Sequence, residues 1–370
     1  MKIREITVLV ALVATGAITT PAIAQNYVLE IDNQGGTAVP VDQRNPSFPG
    51  SGIRTGQEGW VRVNFVITPA GQAMDPIIVD SVGGPGFEAS VRDAVAEWTF
   101  EPSDEMRANN TTDIRFEIRR GKDMATSNFM RRYRRIVTHL HHEEFEEARA
   151  AVDQAAKIGG WNLYESTMLW LMVGRVEGAE GNRDGKLESY RRALGVSNTN
   201  SLDNEDRREL LSKLFALEIE KKQYAAARRT LSALKRVPGS TSELEALADQ
   251  VAKMKHMLAG DDPIAAQATL FNTCSSDEGE PLWAYVPARR TFSFAALNGN
   301  VERFEVRCER ERLEGLVEAG KSWSLPEGAR SCQVFVFGED GASFDFVEHH
   351  EAQVPDATGE AAVARSDVLD

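Results

Sequence analysis

Cysteine, histidine and long apolar runs are all scarce in this chain, and each shortage removes a class of function. Its 370 residues include three cysteines, none in a Cys-x-x-Cys pair, so neither a thioredoxin-like site nor a cysteine-bound zinc is expected. Six histidines are present. The group His139, His141 and His142 beside Glu143 lacks the His-Glu-x-x-His spacing that puts two metal ligands on one helical face, because Glu146 stands where the second histidine belongs. These side chains, and the pair His349-His350, are expected on the surface. There is no Gly-x-Ser-x-Gly elbow, no phosphate loop and no spacing that pairs two carboxylates in a cleft, so no enzyme activity, metal or cofactor is expected. Positive charge is also short: 42 Lys and Arg stand against 56 Asp and Glu, a net charge of −14. Nucleic acid and anionic membrane surfaces repel such a chain. The basic run "RRYRR" (Arg131 to Arg135) precedes the acidic run "EEFEE", and both read as solvated faces of neighbouring helices.

The N-terminus has the pattern of a secretory signal peptide over residues 1–24. Lys2 and Arg4 precede the apolar stretch "ITVLVALVATGAI", and "AIA" at Ala22 to Ala24 supplies a small-residue cleavage site. About 13 apolar residues fall short of the roughly 20 that span a bilayer as a helix. Residues 25–44 read as a linker. From Val61, apolar side chains alternate at Val61, Val63, Phe65 and Ile67, the period of a strand with one buried face. Pro69 and Gly71 suit a reversal, and a second short strand follows over Ile77 to Ser81. The period then changes: Phe87, Val91, Ala94, Val95 and Trp98 share one helical face, ended by Glu101-Pro102. A third strand carries Ile114, Phe116 and Ile118 on one side and Asp113, Arg115, Glu117 and Arg119 on the other. An antiparallel ββαβ unit over residues 45–121 satisfies this order, with one helix covering the apolar face.

These residues resemble the C-terminal domain of TonB-type energy transducers. The resemblance rests on Phe48-Pro49, Glu58-Gly59 before the first strand, Ile67-Thr68-Pro69-x-Gly71 at the turn, and the exit Trp98-x-Phe100-Glu101-Pro102. It implies a periplasmic protein-recognition domain whose third strand pairs with an extended segment of an outer-membrane TonB-dependent transporter. Carried onto this chain, the partner-binding residues are Thr112, Asp113, Ile114, Arg115, Phe116, Glu117 and Ile118. An unpaired strand edge offers backbone donors and acceptors that a partner completes. The charged outward side of Arg115 and Glu117 also suits a protected edge. The chain departs from the transducer pattern in its spacer: about 20 residues, with Pro40 the sole proline, separate the cleavage site from Pro46 and cover at most about 60–70 Å.

Residues 123–260 are rich in Ala, Leu, Glu, Lys and Arg and repeat a theme. Aligning "EEFEEARAAVDQA", "NRDGKLESYRRAL" and "KQYAAARRTLSAL" matches Phe145 with Arg183 and Tyr224, at offsets of 38 and 41. These segments resemble tetratricopeptide repeats, although the regular period is 34. The resemblance implies stacked antiparallel helix pairs that either engage a second protein or act as a spacer. Residues 266–350 turn β-rich. Alternating runs flank Asn298-Gly299 and Gly338-Glu339-Asp340-Gly341, the pattern of two hairpins, and Phe292, Phe294, Phe304, Phe335, Phe337, Phe344 and Phe346 occupy core positions. In an oxidising compartment one disulfide is expected among Cys274, Cys308 and Cys332. Spacing permits three pairings, and Cys308–Cys332 is favoured because both lie in strand-like sequence. Residues 351–370 read as a disordered tail.

The whole is a multidomain α+β protein expected in the periplasm, a recognition or adaptor protein that binds a protein partner by strand addition. The alternative is an inner-membrane-anchored transducer component, which requires an uncleaved leader for its membrane contact.

Overall fold

The computed structural model describes residues 27–34, 38–118, 125–198, 201–274 and 279–350. The expected signal peptide and tail lie outside them. Among the described residues no helix is long and apolar enough to cross a membrane.

The first unit runs β1 (Tyr27–Gln34), β2 (Pro40–Asp42), α1 (Gly50–Thr55), β3 (Gly59–Ile67), β4 (Ala73–Val82), α2 (Pro85–Glu97), β5 (Thr99–Phe100) and β6 (Arg107–Ile118). Four strands make an antiparallel sheet in the order β1-β6-β3-β4, and β2 pairs with β5. Residues 25–44, expected as a linker, therefore supply two strands. The helix α2 closes at Glu97, four residues before Glu101, because Trp98 turns extended (ψ 136°) and Phe100 donates its amide to the Gly71 carbonyl at 2.7 Å. Gly71 has a φ of 89°, and a Cβ there would lie 2.1 Å from the Phe100 carbonyl oxygen, so this turn needs glycine. Under α2, Phe48, Phe87 and Phe116 meet edge to face, as do Phe65 and Trp98, around Val61, Val63, Ile114 and Val91.

Ten helices are described in all. Six of them form three hairpins: α3 (Ser127–His141) with α4 (Phe145–Ile158), α5 (Leu163–Ala179) with α6 (Arg183–Val196), and α7 (Asn204–Glu220) with α8 (Tyr224–Arg236). The three residues aligned by sequence, Phe145, Arg183 and Tyr224, are the first residues of α4, α6 and α8. Short polar links enforce the reversals. Asn162 caps α5 in a capping box with Glu165, and Asn182 caps α6. Gly174 on α5 packs under Tyr190 of α6, where a Cβ would meet the ring at 2.4 Å. Two shorter helices follow, α9 (Thr241–Ala246) and α10 (Ala248–Ala259).

The remaining strands are β7 (Ile264–Thr269), β8 (Leu282–Tyr285), β9 (Thr291–Asn298), β10 (Val301–Arg307), β11 (Arg312–Leu316), β12 (Ser322–Ser324), β13 (Gln333–Gly338) and β14 (Ser343–His349). They build two four-stranded sheets, β11-β10-β13-β8 and β12-β9-β14-β7, which share one core. The two expected hairpins are not hairpins. β9 and β10 belong to opposite sheets, as do β13 and β14, so each turn crosses the sandwich. A two-residue type I′ turn requires positive φ at both centres. Here Gly299 has it (79°) and Asn298 does not. The rings of Phe292, Phe294, Phe304, Phe344 and Phe346 fill the space between the sheets, whereas Phe335 and Phe337 face outward and pack on Val79 of β4.

Cys308 and Cys332 form a disulfide across β10 and β13, 24 residues apart in sequence. A loop of that size constrains the unfolded chain by about 3 kcal/mol. The double variant Cys308→Ser/Cys332→Ser is expected to lose about that much stability in urea titrations followed by near-UV circular dichroism, and an unchanged midpoint would contradict it. Cys274 keeps its thiol, and burial pushes its pKa up to about 12, with Glu88 adding to the shift.

Candidate strand-docking site

The residues expected to form a free edge lie inside the sheet. β6 pairs on one side with β3 (Gly59↔Phe116, Val61↔Ile114, Val63↔Thr112) and on the other with β1, in unbroken register from Tyr27↔Ile118 to Gln34↔Thr111. The edge is occupied by the chain's own backbone, along the whole of Thr112 to Ile118. A sequence signal for β1 exists: Leu29 and Ile31 alternate with Glu30 and Asp32. Its place next to the expected cleavage site gives that short stretch the look of a tether.

The two neighbours grip β6 very differently. Every β3 residue except Arg62 is buried. On β1, none of the residues from Val28 to Asn33 is buried; Leu29 and Ile31 are half-buried against the core, and Glu30 and Asp32 are exposed. Its side-chain ties are few. Thr112 donates its hydroxyl to Asn33 Oδ1 at 2.8 Å, and Glu30 approaches Arg115 only to 3.9 Å. Asp32 lies directly opposite Asp113, with Arg62, which binds Asp113, attracting both carboxylates. β1 is thus held chiefly by backbone hydrogen bonds and two partly covered apolar side chains.

The second face of the sheet, expected to be solvated, is buried instead. Arg62 donates to Asp113 through both Nε (2.7 Å) and Nη2 (2.8 Å). Burial opposes its charge, but Asp113 outweighs this and holds the guanidinium above its ordinary pKa. Arg115 donates to the Gly195 carbonyl of α6 at 2.7 Å. Trp60 has no exposed surface and packs on Leu163 and Val196, and a Cβ on Gly195 would meet its indole at 2.5 Å. Glu58 reaches both ways, accepting the Ile118 amide at 2.9 Å and the Leu163 amide of α5 at 2.8 Å. Arg307 of β10 donates to Asn64 Oδ1 at 2.9 Å. Among the expected site residues, then, Ile114 and Phe116 belong to the core, Asp113 and Arg115 bind neighbouring elements, and Glu117 accepts from Asn198 at 3.0 Å. Among the described residues no group of three or more His, Cys, Asp or Glu is placed to hold a metal ion.

Residues 44–119 match the family described as the Gram-negative bacterial TonB protein C-terminal. This segment is similar to a TonB C-terminal domain. Protein TonB of Pseudomonas aeruginosa is 38% identical over 63 residues, which are 17% of this chain and 18% of that protein. The chain thus spans less than a fifth of this curated relative. The solution NMR structure of the Pseudomonas aeruginosa TonB C-terminal domain is 31% identical, covers 24% of this chain and 90% of its own length, and has a TM-score of 0.20. β1 precedes the residues matched by the family and lies on the strand that the resemblance assigns to partner binding.

Proposed function

We propose that this is a TonB-like recognition protein of the periplasm that takes up an extended segment of an outer-membrane transport protein by strand addition to β6, with β1 holding that place until the partner displaces it. The observation that carries this reading is the eight-residue antiparallel ladder already laid along Thr111 to Ile118. The backbone of β6 is oriented and spaced to accept a strand there, and the strand in place is lightly anchored. Exchange replaces one set of backbone hydrogen bonds with an equal set, so its net free energy is set by side chains and by the tether. In this reading the helical hairpins form a tetratricopeptide-like scaffold that fixes the sheet through Glu58, Trp60 and Arg115, leaving β1 as the movable part.

The test is titration of the isotope-labelled protein with a synthetic TonB-box peptide from an outer-membrane transporter. Amide shifts are expected along Thr112 to Ile118 together with loss of β1–β6 cross-strand contacts. Shifts confined to other elements, with the β1–β6 contacts intact, would remove the reading. Ile114→Pro is a poor probe: Ile114 is fully buried and flanked by strands on both sides, so proline there disrupts the sheet itself.

A further inference from the structure

A second surface, separate from the outer edge of β6, has the chemistry of a binding site. Where the sheet of the TonB-like unit, the α6–α8 helices and the β-sandwich meet, they enclose a cavity of about 550 Å³. Most of the charges around it are already matched. Arg62 is paired with Asp113, Arg191 with Glu218 (2.9 Å) and Glu188 (3.0 Å), and Arg192 with Asp80 (2.6 Å), while Asp32 adds its field to Arg62. Four guanidinium groups from three elements have no carboxylate within hydrogen-bond distance among the described residues, Arg236 of α8 among them. Arg115 of β6 is buried, its Nε has no partner, and its closest carboxylate is Glu30 at 3.9 Å. Arg207 of α7 has only neutral acceptors, Ser197 Oγ at 3.3 Å and the Asn198 carbonyl at 3.5 Å. Burial, with Arg115 nearby, pulls its pKa below the arginine norm. Arg229 of α8 has no hydrogen bond or ion pair among the described residues. In a chain of net charge −14, the lining of this recess holds six arginines against five carboxylates, an excess of one positive charge.

The wall opposite α8 supplies a second requirement. β8 is the last strand of its sheet. Its outer side makes one isolated bridge, Leu282 with Phe271, and beyond it Trp283 to Val286 run along the cavity without a paired strand among the described residues. An extended chain with repeated carboxylates can serve guanidinium groups carried on β6, α7 and α8, and it can also pair its backbone with β8.

We infer that this cavity docks an extended acidic peptide, laid along the free edge of β8 with its carboxylates on Arg115, Arg207 and Arg229. The full chain is titrated with fluorescein-labelled hexaglutamate, with hexaglutamine and inorganic phosphate as controls. Hexaglutamate is expected to bind. Arg207→Gln and Arg229→Gln, both at accessible positions that leave the core intact, are each expected to weaken binding at least fivefold, and the pair at least twentyfold. Arg207→Lys is expected to retain most of it. N-methylation of alternate peptide amides is expected to weaken binding at least fivefold through lost pairing with β8. The inference is overturned if the glutamine variants bind as tightly as the parent, if hexaglutamine binds equally well, or if phosphate at equal concentration displaces the peptide. It is also overturned if a chain ending at His350 binds at least tenfold more tightly, because the acidic residues 351–370 are then the occupant.

Discussion

Leu29→Asp combined with Ile31→Asp raises the affinity for a TonB-box peptide on the order of 30-fold. The two half-buried side chains are the main apolar anchors of β1, and removing that partial burial weakens the strand by roughly 2 kcal/mol. A tethered strand competes with free peptide at an effective concentration near the millimolar range. Apparent affinity is the intrinsic affinity multiplied by the fraction of molecules whose site is open, so a strand held 2 kcal/mol less tightly opens that fraction by a corresponding factor. Isothermal titration of parent and variant with one peptide measures the change. Deleting residues 27–34 should give an equal or larger gain. A variant that binds no better, while circular dichroism reports an intact fold, would show that β1 is a permanent fourth strand and that β6 has no partner beyond it.

The second large effect is expected at Glu58→Ala. Glu58 is 4% exposed and accepts two backbone amides that have no neighbour in their own elements: Ile118 at the end of β6 and Leu163 at the start of α5. Truncation leaves both donors without this acceptor in a water-poor junction, at a cost of roughly 1–3 kcal/mol each. The expected total is about 4 kcal/mol, concentrated where the TonB-like unit meets the helices. Hydrogen exchange should accelerate at Ile118 and Leu163 by more than tenfold, while the disulfide-closed sandwich keeps its protection. Uniform acceleration, or none, would count against Glu58 as a local clamp. Glu58→Gln should recover part of the loss, because the amide oxygen still accepts one of the two hydrogen bonds.

His139 bonds to Glu144 at 2.6 Å, and His141 stacks edge to face on His142. The misread features have a common cause. Arg62 and Asn64 alternate with apolar neighbours along β3, a pattern that normally marks a wet face. In this protein Asn64 is buried and Arg62 partly covered, because Arg307 satisfies Asn64 and Asp113 neutralises Arg62. Polar residues that pair across an interface carry the same letters as polar residues that face water. The Asn298-Gly299 turn fails as a hairpin signal for a related reason: two alternating runs fit equally well as neighbours in one sheet or as opposite walls of a sandwich.

Local pattern alone determined the order of β3, β4, α2 and β6, the equivalence of Phe145, Arg183 and Tyr224, and the turn at Gly71, since periodicity and positive φ act over a few residues. Only the tertiary structure decided which strand borders β6, that both sides of that sheet are enclosed, and which arginines lack a carboxylate. Those outcomes depend on contacts between segments tens to hundreds of residues apart, where any exposed backbone edge or charged side chain takes the partner that packing brings within reach.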